Sequence, residues 1–351
     1  MTRATWRNGW VLVLAFGGVY GGTAGVAMAQ SGGAIERSSL RERAISELLA
    51  LASSSEAQVR ANALEGLLPA SSRLEAILPA ALADENEGVR AVATMVVGRA
   101  RIASLADACQ PLLTDPSTFV RAGAIFALRR CGHDVDPTPL GAMVTEGRTA
   151  QIRAHAAYIL GELGDKGTLG LLRDAASRDV PRASVVENRV LQVQIAEAMC
   201  KLGDAEQLHT IRAAMFPATA DEFDAAVLAV QTLGVLDDRA STGQLRNLAM
   251  QQDSAGAMQP IEMRLAIAGA LGRLGSGELE SVAIETSRAE DWRVRVQSAW
   301  ALGEIGTGTA LRRLEEMLAE PEEFVRVSAA AGVLRALEAR DSRIGQGNSL
   351  D

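Results

Sequence analysis

Aromatic residues are scarce in this sequence. Phenylalanine, tryptophan and tyrosine make up 3% of the 351 residues, although 48% of the chain is hydrophobic. Such a composition favours tight packing of small side chains, as in stacked helices. The charged fraction of 22% and the apolar content are both too high for a disordered or collagen-like chain. A chain of this length usually forms two or more domains, unless it is a repeat array, which grows without one large core.

Basic charge is also low. The chain has 35 lysines and arginines against 43 acidic residues, which gives a formal net charge of −8. An acidic chain is poorly suited to holding nucleic acid, because that recognition depends on basic surfaces. The sequence therefore predicts no nucleic-acid partner.

Cysteine and histidine are equally rare, which limits the chemistry that the chain can perform. The three cysteines, Cys109, Cys131 and Cys200, form no C-x-x-C pair, and none of the three histidines belongs to an H-E-x-x-H motif. P-loop, G-x-G-x-x-G and G-x-S-x-G motifs are also absent from the sequence. The sequence thus predicts no metal site, no cofactor and no catalytic residues, and it favours a protein that is not an enzyme.

The first 29 residues have the layout of a secretory signal peptide. Arg3 and Arg7 give a basic start, an apolar stretch follows at Trp10–Phe16, and Ala27–Ala29 is a small-x-small cleavage sequence. We therefore predict cleavage after Ala29 and a periplasmic or secreted protein that has no membrane contact after cleavage. An uncleaved membrane anchor is the alternative, but the five glycines between residues 17 and 25 weaken a long anchoring helix.

A short motif recurs along the chain, in which an aliphatic residue and an arginine precede small residues. Within each run of units the arginines are 30 to 32 residues apart. Gln192 and Ala226 occupy two further positions between the runs. In five units a glycine follows eleven residues later, where it indicates the end of a helix. The repeat arginines are Arg60, Arg90, Arg121, Arg153, Arg264, Arg295 and Arg326.

A second apolar-periodic run follows each unit's closing glycine, so each unit is predicted to contain two helices. About nine such units occupy residues 40–338, after a polar linker at 30–39 and before a polar tail at 339–351. Extra residues near 178–189 and 251–260 lengthen two units and predict longer loops at one edge of the array. These loops represent either tolerated drift or segments that a partner contacts.

The recurring Val-Arg-x-x-Ala and Ala-Leu-Gly-x-Leu-Gly patterns resemble the HEAT repeat over residues 35–338, in particular the short bacterial HEAT-like repeats first noted in phycobilisome lyases. The resemblance implies an all-α, right-handed α-solenoid (superhelix) of about nine two-helix HEAT-like repeats. Layers spaced roughly 8–10 Å apart would make an elongated body of about 70–90 Å. The His-Glu pairs of the HEAT enzyme deoxyhypusine hydroxylase and the basic groove of HEAT-like DNA glycosylases are missing, so the resemblance implies no such activity.

Two packing expectations follow from the repeat. The first is that its aliphatic and alanine positions are buried, among them Val120, Ala124, Leu128, Leu160, Ala299 and Leu302. The second concerns the arginines, which lie where a helix begins and therefore oppose its macrodipole. We expect Arg90, Arg121, Arg295 and Arg326 to bind the preceding turn or the adjacent layer, with Asp84 and Asp115 as candidate acidic N-caps.

The second helix of each HEAT unit lines the concave surface, and its exposed stripe is expected two, five and nine residues after the arginine. Aromatic and charged side chains side by side on an open groove are typical of protein-binding surfaces. Alternatively, the rings fill gaps between diverging helices, and the pairs Arg130–Glu162 and Arg273–Glu304 join layers. The candidate binding residues are Arg99, Phe126, Arg130, His155, Tyr158, Glu162, Trp300 and Glu304.

The sequence thus favours an exported, non-enzymatic scaffold or adaptor that binds a protein or peptide on the concave face. One alternative is an accessory or lyase-like subunit of an enzyme system, which would present a substrate or cofactor in the groove. A purely structural envelope component is the third hypothesis. The first hypothesis predicts that Tyr158 is exposed and contributes little to the stability of the fold.

Overall fold

The structure, a computed structural model, describes residues 31–252 and 255–347. The described residues are helical, and their one β-type pairing is an isolated bridge between Gln252 and Met258. The predicted signal peptide, residues 1–29 with its cleavage site after Ala29, lies outside the described residues.

Eighteen α-helices lie in the described residues, separated by short loops and 3-10 turns. In chain order they are α1 Ser31–Leu51, α2 Ala57–Gly66, α3 Leu78–Leu82, α4 Glu87–Ala100, α5 Ala106–Cys109, α6 Thr118–Arg130, α7 Thr138–Glu146, α8 Ala150–Leu163, α9 Leu169–Ala176, α10 Val185–Lys201, α11 Leu208–Ala214, α12 Phe223–Val235, α13 Thr242–Met250, α14 Ile261–Arg273, α15 Glu280–Thr286, α16 Trp292–Ile305, α17 Gly308–Met317 and α18 Glu323–Gly347.

Each even-numbered helix carries one copy of the repeat motif, so the helices form nine consecutive pairs, as predicted. The even-numbered helices stack on one another through the whole series, and each odd-numbered helix packs outside its partner. The six aliphatic and alanine positions that were expected to be buried are all 3% exposed or less. The protein is therefore an all-α solenoid of two-helix repeats.

Local sequence explains where these helices begin and end. The side chain of Thr149 accepts the backbone N–H of Ile152 at the start of α8, and Ser184 and Glu187 form a capping box at the start of α10. At the far end of α8, Gly164 has φ of 79°, a left-handed conformation that residues with a Cβ rarely adopt.

The four repeat arginines that were expected to bind the preceding turn or the adjacent layer all bind the turn, and Arg90, Arg295 and Arg326 bind the adjacent layer as well. Arg90 donates to the backbone carbonyls of Asp84 at 2.8 Å and Glu85 at 3.1 Å. Its guanidinium also forms two hydrogen bonds with the Asp115 carboxylate in the next repeat, at 2.9 and 3.1 Å. Four other repeat arginines likewise donate to the backbone carbonyls six and five residues before themselves. They are Arg60, Arg121, Arg295 and Arg326.

Asp84 and Asp115 differ from the expectation, because neither is an N-cap. The N-cap residues of α4 and α6 are Asn86 and Ser117. Each aspartate instead accepts the backbone N–H of the residue two positions later, at 2.8 Å, and pairs with the arginine of the preceding repeat. The carboxylates therefore join layers as well as ordering the turn that precedes each helix.

The ends of the solenoid meet. Helix α18 packs against α16 on one side and against α1 and α2 on the other. Arg326 donates to Glu47 at 2.7 Å, and the Ser54 hydroxyl donates to Glu323 at 2.5 Å. A Cβ placed on Gly66 would lie 3.0 Å from the Cβ of Ala331, so the two backbones approach closely. The first and last repeats also share one continuous hydrophobic core.

The protein is therefore a closed ring of repeats, and the expected elongated body of about 70–90 Å is wrong. Each layer of a solenoid is rotated slightly relative to the previous one, and these rotations add. Nine layers return to the starting point when the mean rotation is about 40° per layer. The terminal helices also extend beyond the predicted repeat region, since α1 begins at Ser31 and α18 continues to Gly347.

Candidate functional site

Ring closure turns the predicted concave face toward the inside of the ring. One contact there bypasses a layer, because Arg99 on α4 donates to the hydroxyl of Tyr158 on α8 although α6 lies between them in the series. The Arg99 guanidinium also lies 5.3 Å from the centroid of the Tyr158 ring. On its other side Arg99 pairs with Glu65 of α2 at 3.2 Å. Three even-numbered helices are thus joined through one side chain.

A second cation continues this arrangement. The Lys201 ammonium on α10 lies 2.7 Å from Glu162, 2.8 Å from Glu197 and 4.6 Å from the centroid of the Tyr158 ring. Burial lowers the pKa of Lys201, but Glu197, Tyr158 and Glu162 outweigh burial and raise that pKa above its ordinary value. Lys201 is therefore charged and held in place.

On the opposite part of the ring, Glu304 of α16 binds cations from both neighbouring layers. Its carboxylate lies 2.8 Å from Arg273 on α14 and 3.2 Å from Arg335 on α18. The inner network is the set of side chains that take part in these contacts, and the electrostatic effect of Arg335 on Glu65 links its two parts. Its members are Glu65, Arg99, Tyr158, Glu162, Glu197, Lys201, Arg273, Glu304 and Arg335.

The predicted binding residues occupy this inner wall, but their rings are buried, which corrects the expected exposure. Phe126, Tyr158 and Trp300 are 1%, 4% and 4% exposed, respectively. The Phe126 ring occupies the space above Gly98, where a Cβ would lie 2.5 Å from a ring carbon. The Trp300 ring covers Gly269 in the same way. These two rings fill gaps between helices, which was the alternative interpretation.

The structure brings some of the other predicted residues together. Arg99, Tyr158 and Glu162 meet in the inner network, whereas Glu304 lies in its other part and is 5% exposed. Arg130 donates to the backbone carbonyl of Glu162 at 3.5 Å, because the Glu162 carboxylate binds Lys201 instead.

His155 is separate from the network. Its ring lies edge-on to Phe119, with 5.4 Å between the ring centroids, and its Nε2 atom is buried without a hydrogen-bond partner. Burial lowers the pKa of His155 to about 4, although a hydrogen bond with the Phe119 backbone opposes that change. The imidazole is therefore neutral at neutral pH.

Ring closure also creates a pocket of about 170 Å³ where α2, α16 and α18 meet, which we call the seam pocket. Its apolar walls are formed by Trp292, Val296, Phe324, Val327 and Ala331. The polar lining consists of Gln58, Asn62, Glu65, Arg293, Gln297, Ser328 and Arg335, and the backbone of Gly66 completes it.

Two aromatic rings from adjacent repeats form one wall of the seam pocket. Trp292 and Phe324 are stacked, with 4.9 Å between their centroids and an angle of 26° between their planes. The Arg293 guanidinium lies 5.0 Å from the centroid of the Trp292 ring. Both rings lie where their helices begin, so the wall faces the edge of the ring where the even-numbered helices start.

Two residues that line the seam pocket carry hydrogen-bond acceptors without partners. The Oε2 atom of Glu65 and the Oε1 atom of Gln297 are both buried and make no hydrogen bond. Glu65 as a whole is 7% exposed. Burial raises the pKa of Glu65 to about 7, although Arg99 and Arg335 oppose the rise.

Sequence reasoning missed the aromatic wall. Trp292 and Phe324 lie three and two residues before their repeat arginines, outside the stripe that the repeat predicts to be the binding surface. Glu65 and Gln297 are on that stripe, but an open solenoid would keep them far apart. The available signal was an aromatic residue near the start of two successive motif helices, together with polar stripe residues in the first repeat.

The described residues contain no group of three or more His, Cys, Asp or Glu side chains placed to hold a metal ion. Over the same ranges, no helix combines the length and the apolar character needed to cross a membrane. Cys109, Cys131 and Cys200 are free thiols, and Cys109 is buried.

The chain was also compared with known proteins. A sequence model of the family described as HEAT repeats matches residues 257–335. Similar solved structures include an engineered protein with a TM-score of 0.32 and 14% identity, covering 88% of this chain and 97% of that chain. The complex of CpcE and CpcF of phycocyanin lyase from Nostoc sp. has a TM-score of 0.40 and 16% identity, and the match covers 82% of this chain and 98% of that chain. Human deoxyhypusine hydroxylase in complex with glycerol has a TM-score of 0.34 and 16% identity, and the match covers 87% of this chain and 99% of that chain.

A search of curated proteins gave no significant match. The matched residues 257–335 span α14 to α17 and the first half of α18. The arginine contacts of that region recur in the earlier repeats, where Arg60, Arg90 and Arg121 bind their preceding turns as Arg295 does. The chain therefore contains HEAT repeats over residues 257–335, within a solenoid whose earlier repeats make the same arginine contacts.

Proposed function

We propose that this ring of HEAT repeats is a protein-interaction scaffold whose partner inserts an apolar side chain into the seam pocket. HEAT repeats commonly serve as scaffolds for protein interactions, and the seam pocket is the observation that supports this particular version. Interface energy is concentrated where a side chain of one protein fills a desolvated pocket of the other. The pocket offers such a place, with stacked rings at Trp292 and Phe324 and an apolar floor at Val327 and Ala331.

The inner wall of the ring is poorly suited to this role. Glu304, Glu197 and Tyr158 are buried and already bind oppositely charged or aromatic neighbours within the protein. A partner would have to break these contacts, and separating a buried ion pair costs about 3–5 kcal/mol. In this proposal the partner therefore binds at the seam and not on the concave face that the sequence predicted.

Exposed apolar side chains support protein contact at the same edge of the ring. Val185, Phe216 and Met250 are 60%, 51% and 68% exposed. Each lies at or beside the loop that precedes an even-numbered helix, in three successive repeats. Two of these loops contain the extra residues that the sequence showed near 178–189 and 251–260. A partner that lies across this edge would cover all three side chains.

The proposal is tested by blocking the pocket. Asn62→Trp places a large ring in the pocket, whereas Asn247→Trp introduces the same ring at an exposed position on α13. Tagged wild-type protein and both variants are used to capture partners from a periplasmic extract, and captured proteins are identified by mass spectrometry. We expect Asn62→Trp to lose a partner that wild type and Asn247→Trp retain, with equal melting temperatures. A partner that all three proteins capture equally would contradict the role of the pocket.

A third variant separates the pocket from the rest of the edge. If Phe216→Asp loses the partner and Asn62→Trp retains it, the exposed loops are the interface and the seam pocket is not. The use of a periplasmic extract rests on the predicted signal peptide. That part of the proposal predicts a mature protein beginning at Gln30, which intact-mass measurement of the cell-envelope fraction would test.

A further inference from the structure

The size of the seam pocket limits its occupant. Its volume is about 170 Å³, whereas pockets for drug-sized molecules are about 300–1,000 Å³. A dry, engineered cavity of about 150 Å³ in another protein binds benzene. The seam pocket therefore has room for one six-membered ring with a small substituent.

The walls of the pocket favour an aromatic occupant. Trp292 and Phe324 already stack on each other, and aromatic rings prefer offset-stacked or edge-to-face neighbours at centroid distances of about 4.5–7 Å. Val296 and Val327 supply apolar contacts for the remaining faces of such a ring. An inserted ring would form a three-ring cluster with Trp292 and Phe324.

Two lining residues distinguish between aromatic groups. Glu65 Oε2 and Gln297 Oε1 are buried acceptors that lack hydrogen-bond donors. A plain phenyl ring would leave both without a partner and out of water, which is unfavourable for each group. A hydroxyl at the far end of the ring could donate to one of them, and its own oxygen could accept a hydrogen bond from a neighbouring donor.

The surrounding charges disfavour charged ring substituents. Arg335 lines the pocket and, like Arg99, acts electrostatically on Glu65, so an ammonium group entering here would meet the Arg335 guanidinium. A carboxylate would instead meet Glu65 itself, which lies 3.2 Å from Arg99 and already pairs with it. A neutral hydroxyl avoids both repulsions.

From this combination of size, aromatic wall and unpartnered acceptors we infer that the seam pocket recognises a phenol, supplied by a tyrosine side chain of the protein partner. The inference rests on the proposed function and specifies its chemistry. A tyrosine presents the ring to Trp292 and Phe324 and carries its hydroxyl to the acceptors of Glu65 and Gln297. Phenylalanine fits the same space but leaves the acceptors unsatisfied.

The test uses the side-chain analogues of the two amino acids, p-cresol for tyrosine and toluene for phenylalanine. Isothermal titration calorimetry with the full-length protein at pH 8, where the Glu65 carboxyl with its pKa of about 7 is ionised and accepts hydrogen bonds, measures both affinities. We expect p-cresol to bind at least about tenfold more tightly than toluene, because one buried hydrogen bond is worth about this factor. Gln297→Leu should reduce the preference while leaving toluene binding in place, and Asn62→Trp should abolish both.

The outcomes separate the two proposals. Equal affinity for the two compounds, or a preference for toluene, would overturn the phenol inference. Absence of p-cresol binding would also overturn it. In that case, loss of partner capture by the Asn62→Trp variant would still support the proposed scaffold function. Preferential p-cresol binding together with partner capture that is insensitive to Asn62→Trp would contradict the tyrosine source. Melting temperatures of both variants close to that of wild type exclude misfolding as the cause of lost binding.

Discussion

At the scale of single residues, the inner network shows how charge is tolerated away from water. A buried ion carries a desolvation penalty of several kcal/mol unless opposite charges and hydrogen bonds replace the lost water. Lys201 receives two carboxylates and the face of Tyr158, and Glu304 receives two guanidinium groups. The sequence alone would assign these charged side chains to a solvent-exposed groove. Their partners allow them to be buried on the inside of the ring instead.

Tyr158 gives a direct test of that arrangement. Since the ring is buried and contacts both Arg99 and Lys201, we expect Tyr158→Ala to lower the free energy of unfolding by about 3 kcal/mol. Tyr158→Phe keeps the ring, loses the hydrogen bond from Arg99 and should cost only about 1 kcal/mol. Urea denaturation of the three proteins measures both effects. An Ala variant as stable as wild type would show that the ring is exposed after all.

Glu65 predicts a pH dependence of stability. Burial raises its pKa to about 7 in the folded protein, above the ordinary value of 4.5. The folded state therefore binds this proton more tightly than the unfolded state. Its contribution is fully present below about pH 4.5 and is lost as pH rises through about 7. Across this interval we expect a loss of about 3 kcal/mol in wild type that Glu65→Gln does not show.

Denaturant titrations at pH 5 and pH 8 measure this difference between Glu65→Gln and wild type. Glu206→Gln, at an exposed carboxylate, is the matched control and should follow wild type at both values. If the stability gap between Glu65→Gln and wild type is the same at pH 5 and pH 8, Glu65 is not a buried acid.

At the scale of helices, the low aromatic content has a structural explanation. The even-numbered helices approach one another through glycine and alanine, so little space remains for large side chains. A Cβ on Gly303 would lie 2.7 Å from the Cα of Gly332 in the next helix. Two of the rings on the inner helices lie above glycines, Phe126 above Gly98 and Trp300 above Gly269. The low aromatic content and the close spacing of the helices thus both follow from packing through glycine and alanine.

This close approach predicts opposite effects for two glycine substitutions. Gly303→Ala forces α16 and α18 apart and should destabilise the fold by about 1–3 kcal/mol. Gly170→Ala, on α9, meets nothing within 4 Å and should stabilise it by up to about 1 kcal/mol, because alanine favours helix more than glycine does. Thermal unfolding followed by circular dichroism compares the two. A Gly303→Ala protein at least as stable as wild type would mean that these helices do not touch.

Local patterns in the sequence were sufficient to predict the helix pairs and the arginine contacts. Both depend on residues within one repeat, such as Arg90 and the carbonyls of Asp84 and Glu85. The second role of Asp115 could not be read from its own repeat, because its partner Arg90 lies in the previous one. The burial of Trp300 likewise depends on Gly269 in the neighbouring helix.

At the scale of the whole molecule, closure was beyond the reach of the sequence pattern. Closure is the sum of nine small rotations, and a modest error in each would leave the ends far apart. The contacts that seal the ring, such as Arg326 with Glu47, join residues that are 279 positions apart. The seam pocket follows from closure, since Glu65 belongs to the first repeat and Trp292, Phe324 and Arg335 belong to the last two. An open solenoid would have no such pocket.

The most direct test of the account is therefore whether the first and last repeats touch in solution. Arg43 and Glu315 form an exposed ion pair across the seam, with side chains 53% and 44% exposed. Cysteines introduced by Arg43→Cys and Glu315→Cys, after the three native cysteines are replaced by alanine, can be treated with a short bis-maleimide at low protein concentration. Arg43→Cys with Arg178→Cys is the control pair, because Arg178 is also exposed and lies in a distant repeat. A closed ring predicts efficient cross-linking within one molecule for the seam pair and none for the control. Absence of an intramolecular cross-link between residues 43 and 315, in a protein that is folded, would contradict the ring and with it the seam pocket.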